Sequence, residues 1–386
     1  MNRSLSLLAP AVLLGLAGCI LNFDGLTGGK GSGGAGGSGS GSGGGIGGGI
    51  GSGGGGGSGG GGGIGGGTSC PGCGLCQGVC SEGKCDAILN MTAGATAFRV
   101  AIHNGVLFAS DPAEPAIHRF TEGEQPTVFE VPNAPQAIAV DDNFIFWGTE
   151  SDGMFRCKKA DCSKLVELLP AGSDTAPRQM IADEGSLYWI TGPDLAAGKV
   201  LRCSVTACAP EVIAMDLYRP HSIALDETYV YWTVHGMDGN LDGSIMRARK
   251  DGSDLVTYLG NLDGPSGLTV AGGYLYFTNG VYAGKVLRCP LGASACGAIQ
   301  EITPLATLPD MPVRMPMSVA VLGEWAFWTN DADFTVMACP TAGCATTSDG
   351  LPVIVASGLM SPGGLTATSG CAFWTAGSGV FGAEKP

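Results

Sequence analysis

The chain has 386 residues, of which 68 are glycine, and 29 of those glycines fall between Gly28 and Gly67. That stretch cannot bury a core, so one domain of roughly 300 residues remains to fold after it. Thirty-four acidic against 20 basic residues give a formal charge of -14, which argues against nucleic acid as a partner.

Residues 1–18 open with Arg3, continue with an apolar run from Leu5 to Leu16 and end in small residues before Cys19. This is the layout of a secretory signal, and the run is too short to span a bilayer. Leu16-Ala17-Gly18-Cys19 resembles the lipobox of bacterial lipoproteins, which implies that Cys19 is diacylated and becomes the N-terminus after cleavage. An ordinary signal peptide with a cysteine at its cleavage point is the alternative. More than one acyl chain, at about 0.8 kcal/mol per buried CH2, makes a stable membrane anchor. The expected address is the cell envelope, at the outer membrane or cell surface. Residues 19–67 would then be the lipidated Cys19 and a Gly/Ser tether with a reach of roughly 35 Å.

Residues 68–85 carry Cys70, Cys73, Cys76, Cys80 and Cys85. The first four have the C-x2-C-x2-C-x3-C spacing of bacterial ferredoxins, but the following Pro and the second half-motif are absent. In an exported chain with 15 cysteines, a small disulfide knot is the preferred reading, with zinc or an iron–sulfur cluster as alternatives.

From residue 86 to 386 one pattern repeats. Val106-Leu107-Phe108, Ile145-Phe146-Trp147, Leu187-Tyr188-Trp189, Val230-Tyr231-Trp232, Leu275-Tyr276-Phe277, Ala326-Phe327-Trp328 and Ala372-Phe373-Trp374 recur at intervals of 39, 42, 43, 45, 51 and 46 residues. A period in the forties, with Gly- and Asp-rich turns and no helical periodicity, predicts an all-β propeller whose repeat is one four-stranded blade. Seven blades are expected, with six as the alternative. A two-sheet sandwich does not explain seven copies of one register.

Each unit reads as four strands. The first follows a Pro three residues ahead of an apolar residue, as in Pro177 to Met180 or Pro220 to Ile223; placed there, Pro removes no internal ladder donor. The aromatic strand is second and apolar throughout, as expected of a strand buried on both faces. A third strand such as Lys199-Val200-Leu201-Arg202, a tight hairpin and an outer strand complete the unit. The last unit has room for Gly379-Val380-Phe381 but not for a fourth strand. The segment from Asp86 to Met91 reads as that missing outer strand, so the two ends of the chain would close the ring.

Tyr231-Trp232-Thr233 and Phe327-Trp328-Thr329 resemble the YWTD-type propellers of lipoprotein receptors and, more loosely, the NHL-type propellers, over about Ala87 to Pro386. The family's Asp after Thr is absent, with Val234, Asn330 and Ala376 near its place, which puts its contacts between blades in question. Seven units here also stand against six in YWTD domains.

In four hairpins a Cys follows the third strand and another lies five or seven residues on: Cys157 and Cys162, Cys203 and Cys208, Cys289 and Cys296, Cys339 and Cys344. Where the first is missing, as at Ala248 or Phe120, the second is missing too. Residues lost only together are most simply partners, which gives four local disulfides of about 2 kcal/mol each on the chain-entropy model. Apart from Cys19, five knot cysteines and Cys371 remain, so one knot cysteine should pair with Cys371.

For catalysis the inventory is thin: four His, no G-x-S-x-G, no H-E-x-x-H and no P-loop in the folded part. His221 and the loop from His235 to Gly243 should open on one face. Asp238, Asn240 and Asp242 begin like a calcium loop, although Arg249 stands where a bidentate Glu would be; a plain polar loop is the alternative. Gln136, Gln179, His221, Ser266 and Met317 are expected near the channel mouth. The recurring Arg156, Arg202, Arg247 and Arg288 read as a structural contact.

The loops before the first strand and after the second vary most, and one of them carries Met311, Met315 and Met317. These methionines with His221 and His235 form the expected binding face for a protein or peptide ligand. The competing class is a propeller hydrolase or lyase that uses a metal and His near the channel mouth. Peptide mapping without reduction is expected to recover the four hairpin pairs and one peptide joining a knot cysteine to Cys371; free thiols at Cys157 and Cys162 would overturn the assignment.

Overall fold

A computed structural model describes residues 99–386, except 122–123, 173, 175, 184, 193–197, 281–283, 304–314, 369 and 378, and the backbone of two N-terminal strands, Cys80–Ser81 and Lys84–Asn90. The expected signal segment, Cys19 and the tether lie outside these residues. So do Cys70, Cys73, Cys76 and Met311.

Seven antiparallel sheets of at least four strands make a seven-bladed β-propeller. Blade 1 spans residues 99–130, blade 2 137–170, blade 3 177–217, blade 4 220–262, blade 5 268–301 and blade 6 316–356. Blade 7 consists of Leu365–Ala367, Cys371–Ala376 and Gly379–Glu384, with Lys84–Asn90 hydrogen-bonded beside the last of these. Leu89 pairs with Val380 and Asn90 with Gly379 in antiparallel register. The N-terminal closing strand therefore exists, beginning two residues earlier than its sequence suggests. Cys80–Ser81 adds a short fifth strand. The first strand of blade 7 packs on that of blade 1 and shuts the ring.

The core lies between blades and not within them. Ala137, Ala139, Phe146 and Met154 of blade 2 pack with Met180, Leu187, Trp189 and Leu201 of blade 3. Tyr188, Ile190 and Val200 of blade 3 pack in turn with Ile223, Val230 and Trp232 of blade 4. The same seam recurs between blades 1 and 2, 4 and 5, 5 and 6, and 6 and 7. Trp147, Trp189, Trp232 and Trp328 are fully buried in it. Truncating such a residue to Ala costs about 3–5 kcal/mol.

The recurring Pro has a partner in the preceding blade. Pro177, Pro220, Pro265 and Pro316 lie against Gly148, Gly198, Gly243 and Gly284 so closely that a Cβ on Gly243, for example, would fall 2.5 Å from Pro265 Cδ. The Thr that follows the aromatic residue has a polar task. Thr233 accepts the Ser222 N–H at 2.9 Å and donates to the Ser266 carbonyl of the next blade at 3.0 Å. Thr278 and Thr329 likewise accept the Gly267 and Ser318 N–H groups, so these buried amides are satisfied.

The arginines at the end of the third strand clasp neighbouring blades. Arg202 donates to the Lys250 carbonyl of blade 4 at 2.7 Å. Arg156 donates to the Val205 carbonyl of blade 3, and Arg247 to the Gly292 and Ala293 carbonyls of blade 5. Arg156, Arg247 and Arg288 also lie over Phe144, Tyr229 and Tyr274 of their own blades, at 4.3, 4.1 and 4.5 Å from the ring centres. The structural reading of these arginines holds.

All four expected hairpin disulfides are present, Cys157–Cys162, Cys203–Cys208, Cys289–Cys296 and Cys339–Cys344. Cys371 is also disulfide-bonded, to a cysteine outside these four pairs. Removing the N-terminal strand should expose an edge in blade 7. A chain beginning at Ala93 is therefore expected to melt several degrees lower and to aggregate, measured by calorimetry and light scattering. An unchanged cooperative melt would show that closure does not rest on this strand.

Candidate functional site

Antiparallel order places the start of every first strand and the end of every second strand on one face, the loop face. The stapled hairpins lie on the other. In each first strand one residue faces the buried aromatic residue across the ladder: Ala101 faces Phe108, Ile138 faces Trp147, Met180 faces Trp189 and Ile223 faces Trp232. Leu268, Val319 and Leu365 face Phe277, Trp328 and Trp374. The residue two positions earlier lies within two residues of the strand's start, at its loop-face end. Taken around the ring, this position holds Arg99, Gln136, Arg178, His221, Ser266, Met317 and Gly363.

Three of the seven are cationic or imidazole side chains, and sequence reading found only His221. Gln179 is expected at the mouth, but in blade 3 the equivalent position, two residues before Met180, is Arg178. Gln179 instead turns to the next blade, where its Oε1 accepts the Ile223 N–H at 2.9 Å. Arg178 donates through Nε to the Gly192 carbonyl at 3.2 Å. Arg99 escaped notice because Phe98 occupies the place of the recurring Pro.

The His235 loop rises beside this ring. His235 is buried, its N–H bonded to the Arg219 carbonyl and its Nδ1 3.3 Å from the Gly236 carbonyl. Arg219 donates to Asp238 Oδ1 at 2.8 Å, and His235 Nδ1 lies 3.5 Å from the same oxygen. Asp242 Oδ1 accepts the Met237 N–H at 2.9 Å. Both carboxylates of the calcium-like segment thus serve protein donors. Among the described residues no three His, Cys, Asp or Glu side chains gather as a metal-binding group.

His235 is among the groups that act on His221. Burial, then His235, then Arg99, Arg178 and Arg219 pull the His221 imidazole down to about 3. Burial and then Arg178 lower Arg99 to about 10, which leaves it charged at neutral pH. Burial and then Arg219 lower both Arg178 and His235; for His235 the Gly236 carbonyl, Asp238 and Asp263 act in the opposite sense. Arg99, Arg178 and His221 belong to blades 1, 3 and 4, and blade 1 shares no seam with the other two.

Of the other expected binding residues, Met315 and Met317 are half-buried, and Met315 uses its carbonyl to accept the Asp331 N–H. The strongly exposed apolar side chains of the loop face are Met237 (51%), Leu241 (66%), Phe334 (48%) and Met360 (68%). The remaining exposed large apolar residues lie on, or one residue before, the outer strands. On the hairpin face a cleft of about 610 Å³ opens between blades 1 and 2, lined by Arg119, Asp142, Phe144, Lys158 and Lys159 among others.

No protein-family model and no curated protein sequence matches the chain. Solved structures do resemble it. Selenomethionine-substituted virginiamycin B lyase from Staphylococcus aureus superposes with a TM-score of 0.60 at 15% identity, over 76% of this chain and 97% of that one. A catalytically inactive form of the same lyase with quinupristin gives 0.58 at 15%, over 76% and 96%. The nidogen/laminin complex gives 0.44 at 21%, over 53% and 80%. The lyase structures support the propeller fold and carry no residue roles to this chain.

The depressed imidazole of His221 has a consequence for stability. The unfolded chain binds this proton with an ordinary value near 6.5 and the folded chain only near 3. The resulting stabilisation is complete above about pH 6.5 and is lost as pH falls from there toward 3, at up to about 1.4 kcal/mol per pH unit. His221→Gln is expected to lose less stability than the native chain between pH 7 and 4, read from urea midpoints; parallel slopes would contradict the burial of a neutral imidazole.

Proposed function

We propose that the chain is a lipid-anchored protein of the cell envelope whose propeller holds a protein or peptide ligand on its loop face. The observation that carries the reading is the distribution of apolar surface. Met237, Leu241, Phe334 and Met360 stand exposed on loops of this face. Exposed flexible thioethers and an aromatic ring on loops held by a rigid scaffold suit an adaptable peptide contact. The opposite face is tied down by four disulfides, which suits a supporting role. The lipobox-like Leu16-Ala17-Gly18-Cys19 and the long Gly/Ser tether support presentation of the propeller at a membrane surface.

The enzyme alternative needs a metal beside His221 or His235. Arg99, Arg178 and Arg219 act on His221, whereas on His235 Arg219 is opposed by Asp238 and Asp263; at His221 such a field opposes a divalent cation. Binding is therefore the better supported class.

Two experiments test the reading. Cys19→Ser should move the protein from the membrane fraction to the soluble fraction and abolish acyl labelling. Peptide display against the purified chain should enrich sequences whose binding falls at least tenfold in a Met237→Ser, Leu241→Ser, Phe334→Ser, Met360→Ser variant, but not in Lys158→Ser, Lys159→Ser on the hairpin face. Equal loss in both, or in neither, would remove the loop-face assignment.

A further inference from the structure

We propose that Phe334, with Met360 beside it, is the anchor of the loop face, a contact that takes a bulky apolar side chain flanked by Lys or Arg in the peptide ligand. This inference rests on the loop-face reading and names the residue and the ligand chemistry at its centre.

Three observations carry it. The first is register. One residue before the third strand begins to pair with the second stands Gly198 in blade 3, Gly243 in blade 4 and Gly284 in blade 5. Each lies against the Pro that opens the next blade, and a Cβ there would fall 2.4, 2.5 and 2.1 Å from that Pro's Cδ. In blade 6, where Asn330 pairs with Thr335, the same position holds Phe334, ahead of Pro362 of blade 7. Its backbone is left-handed, with φ 54°, a conformation that none of those three glycines adopts. A bulky side chain held there is strained. The second observation is exposure. Phe334 is 48% exposed and is the one strongly exposed aromatic side chain among the described residues. The fold therefore gains neither packing nor backbone ease from Phe at a place where Gly serves in three other blades. The third is the setting. The Phe334 carbonyl accepts the Leu359 N–H at 3.0 Å, which sets the next residue, Met360, 68% exposed, on the adjoining loop.

The charges around this pair select the ligand. The loop of Phe334 holds Asp331 and Asp333, and the connection from Ser357 to Gly364 that carries Met360 has no charged residue. Neither carboxylate side chain has a hydrogen bond or ion pair with a described residue. Burial raises the Asp331 carboxyl above its ordinary value, so its charged form gains from a cation brought beside it. The net charge of -14 attracts a basic segment at long range. A Lys or Arg next to a bulky apolar side chain meets the acidic and the apolar parts of this contact together. The Phe ring can stack on the apolar body or on a guanidinium, and the thioether adapts to the shape beside it.

The test uses the full chain and capped peptides: one with a Leu-Phe pair flanked by Lys, one with Glu in place of Lys, and one with Ser in place of Leu and Phe. Binding is read by calorimetry and stability by the thermal midpoint. The Lys peptide should bind saturably, the other two about tenfold more weakly or worse. Phe334→Gly installs the residue found in blades 3, 4 and 5. It should weaken the Lys peptide about tenfold or more with an unchanged or raised midpoint, because Gly relieves the left-handed backbone. Asp331→Asn with Asp333→Asn should reduce the preference for the Lys over the Glu peptide. Met237→Ser with Leu241→Ser, in blade 4, should leave the affinity within about twofold.

No binding of the Lys peptide, equal affinity of the Lys and Glu peptides, or native affinity in Phe334→Gly would overturn the proposal. So would a midpoint lowered by several degrees in Phe334→Gly, since Phe334 would then be a packing residue. Affinity lost in the Met237 and Leu241 variant but kept in Phe334→Gly would sink this anchor and spare the loop-face reading. Affinity kept in every loop-face variant would sink both.

Discussion

A four-stranded blade has two apolar faces and can bury neither by itself. The seam between successive blades is therefore the contact on which the rest of this molecule depends. Each seam takes the aromatic second strand of one blade against its neighbour, and full burial of Trp147, Trp189, Trp232 and Trp328 follows from that requirement. Because every blade needs two neighbours, a linear stack would leave two apolar ends exposed; only a ring does not. The strand Lys84–Asn90 in blade 7 is the form this constraint takes at the chain ends.

Apolar seams alone would slide, because apolar packing is weakly directional. The polar contacts across the seams supply the register. Arg156, Arg202 and Arg247 each reach one hairpin of the next blade, where their donors meet backbone carbonyls. Lys250 illustrates the density of these links: its carbonyl accepts from Arg202 and from Tyr188, and its ammonium pairs with Asp183, all in blade 3. YWTD-type propellers place an Asp after the Thr. Here Thr233 still bridges to Ser266 of the next blade, and the arginines hold the outer part of the seam. The hairpins that receive the arginines at Val205 and at Gly292 and Ala293 are also closed by the Cys203–Cys208 and Cys289–Cys296 disulfides, so the carbonyl acceptors sit on fixed turns.

The architecture was legible in the sequence because each blade solves the same burial problem with the same residues at nearly the same spacing. The disulfides were legible for a related reason: a hairpin with one cysteine of a pair gains nothing, so the pairs come and go together. The blade contacts of Pro were not. Its Gly partners sit at the end of the second strand in Gly148 but at or just before the start of the third in Gly198, Gly243 and Gly284, and a shifting partner leaves no periodic trace. The basic mouth was only one-third legible. His221 stood out as one of four His, whereas Arg99 and Arg178 are remote from it in sequence and act on it only in the folded ring.

That difference follows from where a side chain points. The residue facing the Trp across the first ladder must be apolar, and the Thr beyond the Trp must supply a hydroxyl to a buried amide, so these positions repeat. The residue two places before the apolar one lies at the loop-face end of the first strand and does not face the aromatic residue. Arg, Gln, His, Ser, Met and Gly all occupy that place in this one chain without disturbing the blades behind them. A position that the fold leaves unconstrained is one where chemistry can be changed without loss of stability. In this strongly acidic chain, three of the seven such positions carry Arg or His, in blades 1, 3 and 4. Burial is the first cause that lowers Arg99, Arg178 and His221, ahead of the neighbouring charges.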